Sequence, residues 1–357
     1  MKVAHLLGNL NRGGAESLVF NIFDSELSKA FSPILIHRKQ GALLGDFKNT
    51  PHDTIFLKKK GIKQFIYLRK LLRKRDIDII HVHQVFDGVL ALTSTFNLKT
   101  KIVFTVHGHG LNDKWWQRVF RDFVLNMSNK NIFVSHSLKD FYLNSKRIHR
   151  SDKNTTLYNG VDIKRFPVVE KSNSEEVKLS MIGNFTSVRD HETIARFLIL
   201  LERSKINFHF SFIGGWSSSE MQYFEECLKL CEDLVSKKKV SFLGARSDIP
   251  KLLSETNLFV YSSNHDTFGI AVVEAIITGT PVFVNDWEVM KEVTNNGEWA
   301  TLYKSKDEYD LLDKFLDYHQ NRTQYNQKAK ENAVKAIEVY SIEKHIEKLH
   351  AIYCSVV

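Results

Sequence analysis

A chain of 357 residues with 43% hydrophobic side chains exceeds one ordinary domain and can bury two substantial cores. Its 25% charged residues and only five prolines exclude a long disordered tail, and no apolar window reaches the roughly eighteen residues of a membrane-spanning helix. The net charge of +9 implies an anionic partner, which could be nucleic acid, a membrane surface or a phosphorylated substrate.

The amino terminus, MKVAHLLGNLNRGG, has neither a signal-peptide apolar region nor a small-residue cleavage site, so a cytoplasmic location is expected. Apolar runs of strand length then alternate with helical patterns: VAHLL (3 to 7), a helix over 15 to 30, PILIH (33 to 37), a basic helix, IDIIHVH (77 to 83), KIVFTVH (101 to 107) and NIFVS (131 to 135). Such alternation implies a parallel sheet covered on both faces. It restarts with VKLSMIG (177 to 183), FHFSFIGG (208 to 215), KVSFLG (239 to 244), NLFVYS (257 to 262) and PVFVN (281 to 285). The polar stretch Lys171 to Glu176 marks the change. The expected fold class is therefore α/β, with two Rossmann-like, doubly wound parallel-sheet domains over 1–169 and 170–340 facing a cleft, and ligand at the carboxyl ends of the strands. The segment 341 to 354 reads as a further helix with Ile342, Ile346, Leu349 and Tyr353 on one face.

Gly13 and Gly14 follow the first strand and open a helix, where glycine lets backbone approach a phosphate or sugar; a plain structural turn is the competing reading. Lys58 to Arg75 holds nine basic residues and no acidic one, interleaved with apolar residues. This helix suits an anionic membrane surface, or is a solvated face covering the sheet. His81 and His83 end one strand, and His107 and His109 flank Gly108 after another. Without carboxylate or cysteine ligands at zinc-like spacing no metal site is expected, and His81, His83 and His109 read as turn or packing residues. Trp115 and Trp116 could form an acceptor or lipid platform, but burial of their helix is the favoured reading. Cys227, Cys231 and Cys354 are odd in number and fit reduced thiols.

The most informative stretch is HDTFGIAVVEAIITGTPVFVND, 265 to 286. A helix opening near Gly269 would aim unpaired N–H groups, those of Gly269 and Ile270, at a phosphate. Glu274, about one and a half turns further, could reach a ribose hydroxyl. Asp266 alone would read as a turn or cap residue; beside Phe268, Gly269 and Glu274 it becomes a candidate contact to a sugar. Gly183-Asn184-Phe185-Thr186-Ser187-Val188-Arg189 follows the strand at 177 to 183, and Arg189 is either a bidentate phosphate ligand or a surface arginine.

Together these motifs resemble the retaining GT-B glycosyltransferases, especially glycosyltransferase family 4. The resemblance covers the acidic pair Asp266 and Glu274, Gly13-Gly14-Ala15-Glu16, TVHGHG (105 to 110), FVSHSLKDFY (133 to 142), LYNGVDIKRF (157 to 166) and FLGARSDIPKLLSETNLFVYSS (242 to 263). It implies that His107 lies beside the reacting sugar, that Gly13 and Gly14 contact donor and acceptor, that main chain near Ala245 and Arg246 reads the base, and that the last helix returns to the first domain. Two departures stand out. Asp266 replaces a glutamate, with a reach shorter by ~1.5 Å, and Asn184 and Arg189 stand where relatives carry Arg and Lys, leaving one cation, so that the clamp is either weaker than the usual one or helped by Arg246.

The resemblance implies transfer of a hexose-type sugar from a nucleoside diphosphate sugar, UDP by family frequency, to a hydroxyl of a glycan or lipid-linked glycan acceptor. It implies no cofactor and no metal, with His107, Asp266 and Arg189 in catalytic roles. The donor would be held by Gly13, Gly14, Asn184, Arg189, Arg246, Phe268, Gly269, Ile270 and Glu274. A location peripheral to the inner face of the membrane, through 58–75, would suit such an acceptor. The rival is a catalytically silent module that binds nucleotide sugar or membrane. A nicotinamide-dependent oxidoreductase fits less well because G-x-G-x-x-G is absent, and nucleic acid is disfavoured because no reader motif accompanies the charge.

Overall fold

The computed structural model describes residues 1–58, 60–111, 113–148, 151–171 and 173–357; Lys59 of the basic run lies outside them. Met1–Asp162 with Tyr340–Val357 form one compact unit and Ile163–Val339 another. The residues on both sides of the expected boundary at 170 pack with the second unit, which begins at Ile163. Val169 N–H donates to the Thr278 carbonyl at 3.1 Å, and the buried Lys171 ammonium donates to the Leu253 carbonyl at 2.7 Å.

The first unit holds seven strands: β1 (Val3–Leu7), β2 (Pro33–His37), β3 (Thr54–Phe56), β4 (Ile79–Val82), β5 (Lys101–Val106), β6 (Lys130–Phe133) and β7 (Asn154–Thr156). All pair in parallel, in the order β3-β2-β1-β4-β5-β6-β7. β1, β2 and β4 are buried at every position, so their sequences are continuous apolar runs. β3 and β7 are three-residue edge strands of half-buried residues, with no apolar run to announce them. The expected helix over 15 to 30 is Gly14–Asp24 followed by a 3-10 turn, Glu26–Phe31.

On one side of the sheet the terminal helix Ile342–Cys354 joins the core of this unit. Ser341 caps it by accepting the Lys344 N–H, and Ile342, Ile346, Leu349 and Tyr353 pack with Val3, Phe23 and Phe31. Each fully buried side chain of this size contributes roughly 1.5–3 kcal/mol. On the other side the helix Val85–Thr95 lies between Ile62–Arg75 and Trp115–Met127.

The last of these helices departs from expectation. Its inward side is taken by Arg121, Val124 and Leu125, which turns Trp115 outward to 76% exposure and leaves Trp116 half-buried. Burial of the helix therefore does not extend to Trp115.

The second unit holds β8 (Val177–Ile182), β9 (Phe208–Ile213), β10 (Val240–Phe242), β11 (Leu258–Tyr261), β12 (Val282–Asn285) and β13 (Thr301–Tyr303). They too are parallel, in the order β10-β9-β8-β11-β12-β13. The direction of winding reverses between β8 and β11, and in the first unit between β1 and β4. At such switch points the loops leaving adjacent strands diverge and open a crevice. Cys227 and Cys231 are buried free thiols, each pushed up to about 12 by burial, and Cys354 is an exposed one. Among the described residues, no helix is long and apolar enough to cross a membrane.

Candidate active site

In the second unit the loops leaving β8, β9, β10 and β11 are stitched together at the carboxyl edge. Gly183 N–H donates to Ile213, Phe185 N–H to Gly215, Gly214 N–H to Gly244 and Asn264 N–H to Val188, at 2.8–2.9 Å. Asn184 is exposed, and its Oδ1 accepts the Gly215 N–H at 3.1 Å, so the side chain fixes the next loop. Arg189 folds back over the end of β8: a Cβ on Gly183 would lie 2.4 Å from its Nε. Only glycine admits the guanidinium at that approach.

Arg189 is joined to Asp266 through Tyr261. Its Nε donates to the Tyr261 hydroxyl at 2.9 Å, and that hydroxyl donates to Asp266 Oδ2. Asp266 Oδ1 lies 3.8 Å from Arg189 Nη2, and Ser263 Oγ accepts the Asp266 N–H at 2.9 Å. Burial opposes the charge on Arg189, and Tyr261 with Asp266 overrides it, so the guanidinium stays charged. The expected sugar contact and the expected phosphate ligand thus form one hydrogen-bonded group. Arg246, by contrast, is exposed and spent on its own loop, donating to both Asp248 oxygens at 2.8 and 2.7 Å.

The helix Ile270–Ile277 begins directly after this group. Its N-cap, Gly269, has φ +75° and ψ 56° and offers no side-chain cap, leaving the first N–H groups for a ligand. A Cβ there would sit 2.7 Å from Met290 Cε as well as straining the left-handed backbone. Phe268 is buried beneath the turn. Glu274 is half-buried, and burial, partly countered by Arg165, pushes its carboxyl up to about 7. A hollow of about 220 Å³ beside Arg189 is lined by Ser187, Asp190, Arg196, Tyr223 and Lys306 among others. A second, of about 270 Å³ around Trp299 and Tyr325, touches the amino end of β12 at Pro281 and contains none of the expected site residues.

In the first unit Gly13 caps the helix Gly14–Asp24 in extended conformation, again without a side-chain cap. The buried Glu16 carboxyl folds over it, where a Cβ on Gly13 would meet Oε2 at 2.6 Å. Burial raises the Glu16 carboxyl.

His107, just after β5, ends a buried chain of imidazoles. His83 Nδ1 lies 3.1 Å from His107 Nε2, His83 Nε2 lies 3.2 Å from His5 Nδ1, and His5 Nε2 lies 3.2 Å from the Tyr353 hydroxyl. That hydroxyl is 2.6 Å from His81 Nδ1, whose Nε2 meets Thr105 Oγ1 at 2.7 Å. Burial, with His345 a smaller contributor, lowers His107 to about 4 and His5 to about 3. His81 and His83 are likewise held well down by burial and by their neighbouring imidazoles. His5, His81 and His83 bring ring nitrogens within 4.8 Å of one another, a separation a cation could bridge. Every nitrogen of these three rings is already in a hydrogen bond to a neighbour, so a metal would have to break the chain. His81 and His83 are buried and stacked, as packing residues are, and they also belong to a polar network that reaches His107. His109 is a packing residue, edge-on to Phe141 at 4.8 Å.

Sequence comparison decides the family. Residues 3–165 match the model of Glycosyltransferase Family 4 and residues 162–336 that of Glycosyl transferases group 1, so the two together span nearly the whole chain. The chain belongs to glycosyltransferase family 4. Among its relatives is the Escherichia coli UDP-Gal:alpha-D-GlcNAc-diphosphoundecaprenol alpha-1,3-galactosyltransferase, 24% identical over 84% of this chain and 80% of the relative. Another is the Campylobacter jejuni N,N'-diacetylbacillosaminyl-diphospho-undecaprenol alpha-1,3-N-acetylgalactosaminyltransferase, 23% identical over 80% of each. The fold is that of Anabaena HepE, solved with UDP and glucose, with TM-score 0.85 at 16% identity over 99% of this chain and 100% of that one. Sucrose-phosphate synthase from Thermosynechococcus elongatus gives 0.83 at 14% identity, over 100% and 99%.

For this family 4 glycosyltransferase, the spacing of motifs pointed to Gly269, Glu274 and Arg189 but not to Tyr261, His5 or Tyr353, which hydrogen bonds link to Arg189 and to His83. Tyr261 lies inside an apolar strand run and His5 inside VAHLL, where a polar atom looks like a packing residue. The signal available was chemical: a buried histidine in a strand must find a hydrogen-bond partner.

Proposed function

We propose that this glycosyltransferase moves a hexose-type sugar, with retention at the anomeric carbon, from a nucleoside diphosphate sugar to a hydroxyl of a lipid-linked cell-surface glycan intermediate. The observation that carries it is the uncapped start of the helix Ile270–Ile277, preceded in the chain by Asp266, which lies 3.8 Å from the Arg189 guanidinium, and followed by the Glu274 carboxyl. Uncapped N–H groups and a cation suit a diphosphate, and a carboxylate suits ribose hydroxyls. UDP is the favoured nucleotide, in keeping with the UDP in HepE structures. The named relatives from E. coli and C. jejuni act on undecaprenol-linked diphosphates, which favours a lipid-linked acceptor and a position on the inner face of the membrane. The basic helix Ile62–Arg75 would lie on that surface.

In this reading the anomeric C–O bond to the diphosphate breaks and its electron pair stays on the phosphate oxygen. Arg189 and the Gly269 and Ile270 N–H groups stabilise the charge that builds there. The acceptor oxygen bonds to the anomeric carbon on the face the diphosphate leaves, and its proton passes to the departing phosphate oxygen. The scheme uses no cofactor and no metal. Gly13, Gly14 and His107, at the strand ends of their own sheet, keep the roles that the family resemblance implies, with His107 meeting the donor sugar. Asp266 would contact a sugar hydroxyl through the oxygen that faces Arg189.

The test is release of nucleoside diphosphate from candidate nucleotide sugars, with and without acceptor. Arg189→Ala and Glu274→Ala should each slow turnover about tenfold or more, the effect of losing ~1.4 kcal/mol of transition-state stabilisation. Unchanged rates in both variants would falsify the site. The pairing of Arg189 with Asp266 and of Arg246 with Asp248 favours one rival, a silent nucleotide-sugar-binding module. Tight binding in calorimetry without product across an acceptor panel would establish that rival.

A further inference from the structure

The helix Trp115–Met127 turns outward the kind of surface that a helix on a sheet ordinarily buries. Trp115, Val119, Phe123 and Met127 recur at four-residue spacing and so share one stripe. They are 76%, 56%, 47% and 57% exposed. Phe120 and, on the adjoining helix, Phe86 widen the stripe through Trp116, with ring centroids 6.1 and 5.6 Å apart. The opposite side of the same helix already fills the interior with Arg121, Val124 and Leu125. From Lys114 to Met127 the exposed charged residues are Lys114 and Arg118, both cationic.

Two classes of partner cover such a face: a second copy of this chain, or a bilayer. Charge separates them. In the same helical layer lies Ile62–Arg75, whose Lys63, Lys70, Arg73 and Lys74 are exposed and which carries no acidic residue. A self-complementary interface over this layer would set cation against cation, which is costly. An anionic leaflet answers both features at once, since lipid accepts the aromatic stripe and the headgroups attract the flanking basic residues.

We propose that the outward face of Trp115–Met127 inserts into the headgroup and acyl boundary of an anionic bilayer, with Ile62–Arg75 lying on the same leaflet. The proposal rests on the membrane part of the function given above and names the element that carries it. The stripe starts at the carboxyl end of β5, because His107 to Lys114 join that strand to Trp115. A lipid-linked acceptor held in the leaflet would therefore be delivered at the end of the sheet where His107 stands.

The experiment uses the purified full chain with vesicles of phosphatidylcholine, alone or mixed with phosphatidylglycerol, and brominated phosphatidylcholine as a quencher of tryptophan emission. Binding is expected on the mixed vesicles, with quenching, and Val119→Gln with Phe123→Gln should lower the partition constant at least about tenfold, as loss of buried apolar area requires. The melting temperature and the transfer rate to a water-soluble acceptor should not change in that double variant. Lys63→Glu with Lys70→Glu should remove the preference for phosphatidylglycerol. Partitioning that ignores the Val119 and Phe123 substitutions overturns the proposal. So does a wild-type dimer that those substitutions make monomeric without any vesicle binding, because a second copy then covers the face. Transfer without vesicle binding defeats the surface alone; vesicle binding without transfer to any acceptor defeats the enzymatic reading alone.

Discussion

His83 Nδ1 stands 3.1 Å from His107 Nε2, and the same relay continues through His5 to the Tyr353 hydroxyl near the end of the chain. A neutral imidazole has one N–H and one acceptor nitrogen. Once Tyr353 donates to His5, His5 must donate from Nδ1 to His83 and His83 from Nδ1 to His107; if Tyr353 donates to His81 instead, every step reverses. The tautomer of His107 is therefore tied to a hydroxyl on the terminal helix. Tyr353→Phe leaves nitrogens of His5 and His81 unpaired in the core and should cost roughly 1–3 kcal/mol in urea denaturation. It should also change the ¹⁵N signature of the His107 ring, and an unchanged tautomer population would break the proposed coupling.

The same imidazoles set an acid limit on stability. His5 is lowered to about 3 and His107 and His345 to about 4, from an ordinary 6.5, by burial. The unfolded chain takes up these protons first, so stability is complete above 6.5 and declines as pH falls from there toward 4. Each such histidine contributes up to ~1.4 kcal/mol per pH unit within that window. The urea midpoint should fall clearly between pH 7.5 and pH 5. A midpoint that holds steady would mean that these rings accept protons in the folded state.

Glu274 acts in the opposite direction. Its carboxyl is raised from 4.5 to about 7 by burial, so the folded state holds an extra proton and this residue's contribution declines as pH rises through that interval. Burial also raises the carboxyls of Glu16, Asp87 and Asp122, but the lowered histidines outnumber the raised carboxyls, so the net loss is still on the acid side. For donor binding the sign is also upward in pH. Ribose hydroxyls donate more strongly to a carboxylate than to its acid form, so affinity for a nucleotide sugar should increase as pH rises through 7, by at most about tenfold per unit. The diphosphate of a nucleotide sugar stays ionised there, so the slope belongs to the protein. Glu274→Gln should remove it; a slope that survives would assign the titration to another group.

What the sequence disclosed followed from the physics of each element. Strands buried on both faces were visible as apolar runs, and β11 and β12 lie where those runs fall. β3, β7 and β13 span three residues each and carry half-buried positions, too short for any period to show. Glu274 and Gly269 were legible because a helix start and a fixed spacing place them. The partners of Arg189 were not, because Tyr261 and Asp266 meet it only after β8 and β11 pair across a crossover. Trp115 was misread because amphipathic spacing shows that a helix has an apolar face without showing which face the sheet takes.

The bond between Tyr261 and Asp266 yields a prediction in which binding and turnover separate. Asp266 places a carboxylate 3.8 Å from Arg189, the cation proposed to hold the diphosphate. A carboxylate there competes with phosphate for the guanidinium and repels it, an effect of about 1 kcal/mol for unit charges ~4 Å apart even with the full screening of bulk water. Asp266→Asn keeps the size and a hydrogen bond from Tyr261 while removing the charge. Affinity for UDP should therefore rise about fivefold in calorimetry. Turnover should fall at the same time, because the proposed contact to the sugar hydroxyl loses its charged acceptor. If Asp266→Asn weakens UDP instead, the carboxylate is what holds Arg189 in its productive orientation, and positioning outweighs competition at this site.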